Sequence, residues 1–242
     1  MTSEQNIFVP EILYEDNHII AINKKPSQIV QEDKTGDIPL IELVKGFIKQ
    51  RDGKPGNVFL GVVHRLDRPV GGVIIFAKTD KALIRLNELF RKGEVRKQYL
   101  AIVKQAPPKE HDILVHYLAR NEKQNKSYAY NTPAKNTKEA QLEYTVLGKS
   151  DSFTILHIRL FTGRHHQIRC QLAAIGSPIK GDLKYGFNRS NEDISISLLA
   201  YSISFIHPVK KEPVNITAPL PKTDVWRFFT DIVAQAQTNR TE

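Results

Sequence analysis

The sequence is poor in the groups that would commit it to several large classes of protein. It has a single cysteine, Cys170, so no internal disulfide can form, and a reducing compartment such as the cytoplasm is expected. No apolar run approaches the ~20 residues that a bilayer-spanning helix needs, so no membrane partner is expected. The first ten residues lack a basic start followed by an apolar stretch, so no secretory signal is expected. There is no G-x-S-x-G elbow, no G-x-G-x-x-G turn and no phosphate-binding loop, since Gly53-Lys54-Pro55-Gly56 has the wrong spacing. His64-Arg65-Leu66-Asp67 looks like a kinase catalytic loop, but that loop has no residue between Arg and Asp. Adjacent His165 and His166 would point about 100° apart on a helix and would not share one ion. No metal is therefore expected.

What is present is positive charge. Thirty-five basic residues against twenty-six acidic ones leave a net charge of +9. Such an excess favours a polyanionic partner, of which nucleic acid is the commonest, and adds a salt-sensitive affinity that is blind to sequence. An unspecialised basic protein has the same composition, so charge names no chemistry.

The pattern along the chain is that of an α+β fold, a single compact domain around a largely antiparallel mixed sheet flanked by helices and loops. Residues 18–23, 58–63, 73–77, 96–103, 140–146, 153–161, 198–206 and 214–217 read as strands. Leu40, Leu43, Val44, Phe47 and Ile48 have helical spacing. A second helix starts at an N-cap, Thr79, carries Leu83, Leu86, Leu89 and Phe90, and stops at Gly93. A third is expected to follow Thr162-Gly163 and run to about Ile175, and a fourth to span 224–234 around Trp226. Several neighbouring strands have no room for a helix between them, which disfavours a doubly wound sheet. Nothing resembles a linker, so residues 1–242 are expected to form one domain, with a core of about 12–221. The tails, 1–10 and 238–242, are expected to be loosely ordered.

Three segments carry candidate chemistry. Asp67 stands between Arg65 and Arg68, before Gly71-Gly72 and a strand. A carboxylate beside fixed positive charge stays ionised and can act as nucleophile or base. Paired glycines would let backbone approach a ligand. Thr162-Gly163-Arg164-His165-His166-Gln167-Ile168-Arg169 gathers cations at a helix start, where backbone N–H groups favour anions. Lys97-Gln98-Tyr99 places an aromatic ring among cations, a surface on which a base can stack. Taken singly, these are equally a structural ion pair, a solvated helix face and a rim tyrosine.

In this order, the segments resemble the RluA-type pseudouridine synthases, from about Ile12 to Pro221. Ala21–Ser27 is similar to that family's early lysine–proline segment and Val63–Arg68 to its central catalytic motif, continued by Val73–Thr79. Lys97–Val103, Thr162–Arg169, Gly181–Gly186, Phe205–Pro208 and Ala218–Pro221 are similar to later motifs. There are departures. Val70-Gly71-Gly72 stands where the family has Thr-Ser-Gly, so both hydroxyls are missing, and Cys170 stands where an aliphatic residue is usual. No S4-like module is expected before the first strand.

The resemblance implies a cofactor-free enzyme acting on ribosomal or transfer RNA, expected to be a monomer. Uracil is detached from C1′, turned and rejoined through C5, after the nucleotide has been flipped out of its stack. Asp67 would attack the ribose C1′, attack C6 of the base, or remove the C2′ proton. Arg169 would pair with Asp67, and Tyr99 would stack on the uracil and relay the C5 proton. Arg65 would fill the gap left by the flipped base. Lys25, His64, Arg68, Arg164, His165 and Gln167 would contact RNA. Arg91, Lys92, Arg96, Lys123 and Lys126 are candidates for phosphate contacts. Two other readings remain open: an inert RNA-binding protein on the same scaffold, and an enzyme for a small phosphorylated substrate.

Overall fold

The structure, a computed structural model, describes residues 8–238. Most of the two expected loose tails lies outside this range. Of the described tail residues, Pro10 is buried and Thr238 closes a helix. The fold is α+β with mostly antiparallel strand pairing. Backbone contacts divide it into two compact units, the first running to Val95 and including Ser204–Ala218, the second comprising Arg96–Ile203 and the chain from Pro219 onward.

In the first unit, strand β1 (Ile12–Glu15) pairs antiparallel with β2 (Ile19–Lys24), and β2 with β4 (Gly71–Ala77). Ile19 to Ile22 and Val73 to Ala77 are all buried, so both strands have protein on both faces. That is why they read as unbroken apolar runs rather than as alternating ones. Helix α1 (Leu40–Arg51) buries Leu40, Val44 and Ile48, spaced one turn apart. Helix α2 (Asp80–Lys92) is bounded as its sequence dictates. The Thr79 hydroxyl accepts from the Ala82 N–H, and Gly93 at φ 73° ends the helix in the left-handed region. Each large aliphatic side chain buried here contributes ~1.5–3 kcal/mol.

The strand expected over 58–63 shrinks to β3 (Gly61–Val62), which pairs with β4 at Ala77 and Phe76. A continuation would reach Ile75, but the His64 ring already takes that position: its Nε2 accepts the Ile75 N–H at 3.1 Å.

In the second unit, β5 (Arg96–Val103) pairs antiparallel with β9 (Thr154–Leu160), β9 with β8 (Lys138–Lys149), β8 with β6 (His111–Asn121), and β6 with β7 (Lys126–Tyr130). Gly148, beside a bulge after Val146, lets Ile232 pack where a side chain would stand. Helix α3 (Gln167–Ala174) packs on β6 and β7. The inward face carries Leu114, Leu118, Ala140, Leu142, Tyr144 and Ile158. Strand β10 (Leu198–Ile206) starts in this unit and gives its last three residues to the first, where β11 (Pro213–Thr217) follows.

Two helices differ from expectation. The third begins at Gln167 rather than directly after Gly163, because His166 adopts φ 52°, outside the helical region. The terminal segment 224–234 is a 3-10 helix over Asp224–Phe229, followed by helix α4 (Thr230–Thr238).

Candidate active site and nucleic-acid interface

In the first unit the central motif forms a tight turn. Val70 N–H donates to the Asp67 carbonyl at 3.0 Å, and the Asp67 side chain is half-buried. The turn is clasped from below by the strand end of β2. The Lys24 ammonium, only 1% exposed, donates to the carbonyls of Val70 (2.7 Å), Arg68 (3.1 Å), Lys25 (3.1 Å) and Asp67 (3.4 Å). Ser27 N–H donates to the Arg68 carbonyl at 2.9 Å. Desolvation pulls the Lys24 pKa down to about 7, opposed by the nearby charge of Asp67. A buried ammonium is tolerable only with acceptors around it. Here they are the backbone carbonyls of the turn that carries the carboxylate.

The paired glycines fit this clasp. A Cβ at Gly71 would stand 3.2 Å from the Lys24 carbonyl oxygen and 3.3 Å from the Pro26 ring, and Gly72 has φ 113°. Among the expected RNA contacts of this unit, Arg65 is exposed. Arg68 reaches Asp37 and the Thr35 hydroxyl. Lys25 is exposed and pairs with Glu11. His64 stacks on Phe90, with ring centroids 5.1 Å apart, besides accepting from β4.

In the second unit Tyr99 lies half-buried on β5. Arg164, His165, Gln167 and Arg169 come together around the turn into α3. Gln167 is 3% exposed, and its amide is consumed by that turn. Its Oε1 accepts from the Thr162 hydroxyl (2.8 Å) and the Arg164 N–H (3.0 Å), while Nε2 donates to the Gln141 carbonyl (3.1 Å). It shapes the segment. His165 is bonded at both ring nitrogens, to the Ser127 hydroxyl (2.9 Å) and the Asn125 side chain (3.1 Å), and it stacks on His166 at 3.8 Å. Arg164 is exposed and ties its Nε to the Glu139 carbonyl.

Arg169 is 4% exposed and forms a two-point pair with Asp182, itself 1% exposed: Nε to Oδ2 at 2.7 Å and a terminal nitrogen to Oδ1 at 2.9 Å. The guanidinium also stands 5.1 Å from the Tyr185 ring centre. Tyr185 in turn accepts from the Ser127 N–H (2.8 Å) and bonds His166 Nδ1 at 3.0 Å. Burial, with Arg169 next, keeps the His166 pKa far below its ordinary range, so the ring is neutral beside the tyrosine hydroxyl. Cys170 donates to the Ser127 carbonyl, and burial pushes its thiol up to about 11. It is an inert small apolar residue, as its replacement of an aliphatic position requires.

Lys24, Asp182 and Tyr185 are the members of these clusters that sequence reasoning passed over as functional. The only advance signal was their place inside segments 21–27 and 181–186.

A family model described as RNA pseudouridylate synthase matches residues 18–174. The chain is 35% identical over 225 residues to a ribosomal large subunit pseudouridine synthase C of Buchnera aphidicola (subsp. Baizongia pistaciae), covering 88% of this chain and 68% of that one. It is 32% identical over 225 residues to a ribosomal large subunit pseudouridine synthase D of Xylella fastidiosa, covering 88% and 66%. The fold is similar to that of human RNA pseudouridylate synthase domain containing 4, with a TM-score of 0.74, 22% identity and coverage of 94% and 93%. The chain belongs to the RNA pseudouridylate synthase family, of the RluA type, isomerases that convert uridine to pseudouridine in RNA.

Proposed function

We propose that this enzyme modifies ribosomal RNA of the large subunit, with Asp67 as its catalytic carboxylate. The substrate reading rests on the relatives at 30–35% identity named for the large ribosomal subunit. The catalytic reading rests on the turn of residues 67–70, where a half-buried carboxylate sits on backbone anchored by a buried ammonium. A reacting group gains most when its scaffold needs no rearrangement at the moment of reaction.

The net change is an exchange of one glycosidic bond for another. The N1–C1′ bond breaks, C5–C1′ forms, C5 loses a proton and N1 gains one. No oxidant or cofactor enters this balance. The target nucleotide is flipped out, at a cost of a few kcal/mol in stacking. Tyr99 stacks on the uracil and relays the C5 proton, Arg169 supplies a cation to the reaction, and Arg65 fills the vacated stack. The planar guanidinium suits that last task in a way an ammonium would not. The enzyme acts as a monomer.

Pseudouridine mapping in ribosomal and transfer RNA from a strain lacking the gene tests the reading. A large-subunit site is expected to disappear, to return with the parent gene, and to stay absent with Asp67→Ala or Asp67→Asn, although both variants fold and bind RNA. Normal modification by either variant removes Asp67 from the chemistry. Loss confined to transfer RNA overturns the substrate assignment.

A further inference from the structure

We infer that Lys97 is a positioning residue that binds a phosphate oxygen of the RNA substrate, close to the base-stacking Tyr99; this rests on the functional reading above. Lys97 and Tyr99 are two residues apart on β5, so both side chains leave the same face of the strand. The cross-strand register makes it the inward face: Lys97 stands opposite Leu160 and Tyr99 opposite Ile158, both buried. Lys97 itself is only partly exposed. Its ammonium lies against the turn into α3, where a Cβ on Gly163 would stand 3.4 Å from Nζ. A side chain at 163 would pack against the ammonium, and glycine leaves that contact unmade.

Other buried lysines in this protein are satisfied by protein atoms. Lys24 has four carbonyls, and Lys78 has Glu15 at 2.6 Å and the Asp16 carbonyl at 2.7 Å. Among the described residues, no hydrogen bond or ion pair reaches the Lys97 ammonium. Desolvation, with no opposing partner, holds its pKa below the ordinary lysine value. Such a charge costs stability in the free protein and is offset when an anion arrives. A polyanionic substrate whose base stacks on Tyr99 brings phosphodiester oxygens within a few ångströms of that strand. A phosphate is favoured over a uracil carbonyl because a full negative charge best compensates a desolvated ammonium.

The test is the salt dependence of binding to a short single-stranded, uridine-containing RNA, for the parent, Lys97→Met and Lys97→Arg. Losing one phosphate contact lowers the slope of log affinity against log salt by about 0.7 for a single strand. The Met variant is expected to show that decrease, with affinity about tenfold weaker at low salt. Its kcat at saturating RNA should stay near that of the parent, and its melting temperature should be no lower, since methionine keeps the packing stem and removes a charge without partners. The Arg variant should retain most of the slope. An unchanged slope with weaker binding at every salt concentration would mean a neutral acceptor and would overturn the phosphate assignment. Unchanged affinity, or a Met variant that melts several degrees lower, would also overturn it. Pseudouridine formation by the parent enzyme on large-subunit RNA from the deletion strain is measured alongside. Its failure would sink the functional reading, while the binding slopes would still decide the role of Lys97.

Discussion

Replacing Asp182 by asparagine tests its two-point contact with Arg169. In the folded protein both groups are nearly sealed from water, at 1% and 4% exposure, and they meet at two points, 2.7 and 2.9 Å apart. Asparagine is close in shape, but it offers one acceptor where the carboxylate offers two. Its amide nitrogen would confront a guanidinium N–H, donor against donor. One charge-assisted bond, worth ~1.5–3 kcal/mol, is lost outright. Breaking such a buried pair from one side costs ~3–5 kcal/mol in all. For a chain of this size each kcal/mol shifts Tm by ~2–4 °C, so Asp182→Asn is expected to melt roughly 10 °C lower, followed by circular dichroism. The double variant Asp182→Leu with Arg169→Met, which buries no charge here, should recover part of that loss, giving a clear coupling energy in a double-mutant cycle. A drop of less than ~2 °C for Asp182→Asn would refute the reasoning, because the pair would then contribute no more than a solvent-exposed one. The same pair predicts that Arg169→Ala costs stability besides activity. Removing the arginine strands a buried carboxylate, so folding should suffer as well.

Lys24 makes a prediction about pH. Its pKa is near 7 in the folded protein against 10.5 for an ordinary lysine, so above pH 7 the unfolded chain binds more protons and stability rises with pH. Between pH 7 and 9 the gain is about 2 kcal/mol. Above pH 9 it is countered by Cys170, whose thiol ionises less readily folded than unfolded. Urea midpoints at the two pH values measure it, and Lys24→Met should lose that rise; an unaltered pH profile would refute the assignment. Thr79→Ala should lower stability by about 1 kcal/mol in the same assay, since one hydroxyl caps α2, and Thr79→Ser should restore it. An alanine variant as stable as the parent would show that the cap contributes nothing.

What could be read from the sequence was what local chemistry decides. Helix α2 was legible at both ends because Thr79 and Gly93 act on their own neighbours. Strands β2 and β4 were legible because burial on both faces makes an apolar run. Strand β6 was not, for a related reason. Its inward Leu114 and Leu118 alternate with exposed Ile113 and Val115, so apolar residues mark both faces and no period of two stands out. The turn before α3 was read as helix because nothing in its composition announces that His166 leaves the helical region.

The same division runs through the site. The proposed catalytic residues Asp67, Tyr99 and Arg169 were visible because their side chains are of the type that the chemistry requires. The residues that hold them were not, because their roles exist only through contacts far along the chain. Lys24 is one lysine of a basic sequence until the fold sets its ammonium on a carbonyl 46 residues away. Gln167 looked like a contact for RNA because an amide beside arginines can read a base. Once its amide is seen bonded to Thr162, Arg164 and Gln141, it becomes the residue that shapes the turn. Lys97 is the reverse case: an ordinary lysine in the sequence, it stands out only because, among the described residues, no protein group answers its charge. In this protein a buried polar group with all its bonds filled marks scaffold. A desolvated cation with none marks a place for substrate, and it is the second kind of residue that a sequence read alone passes over.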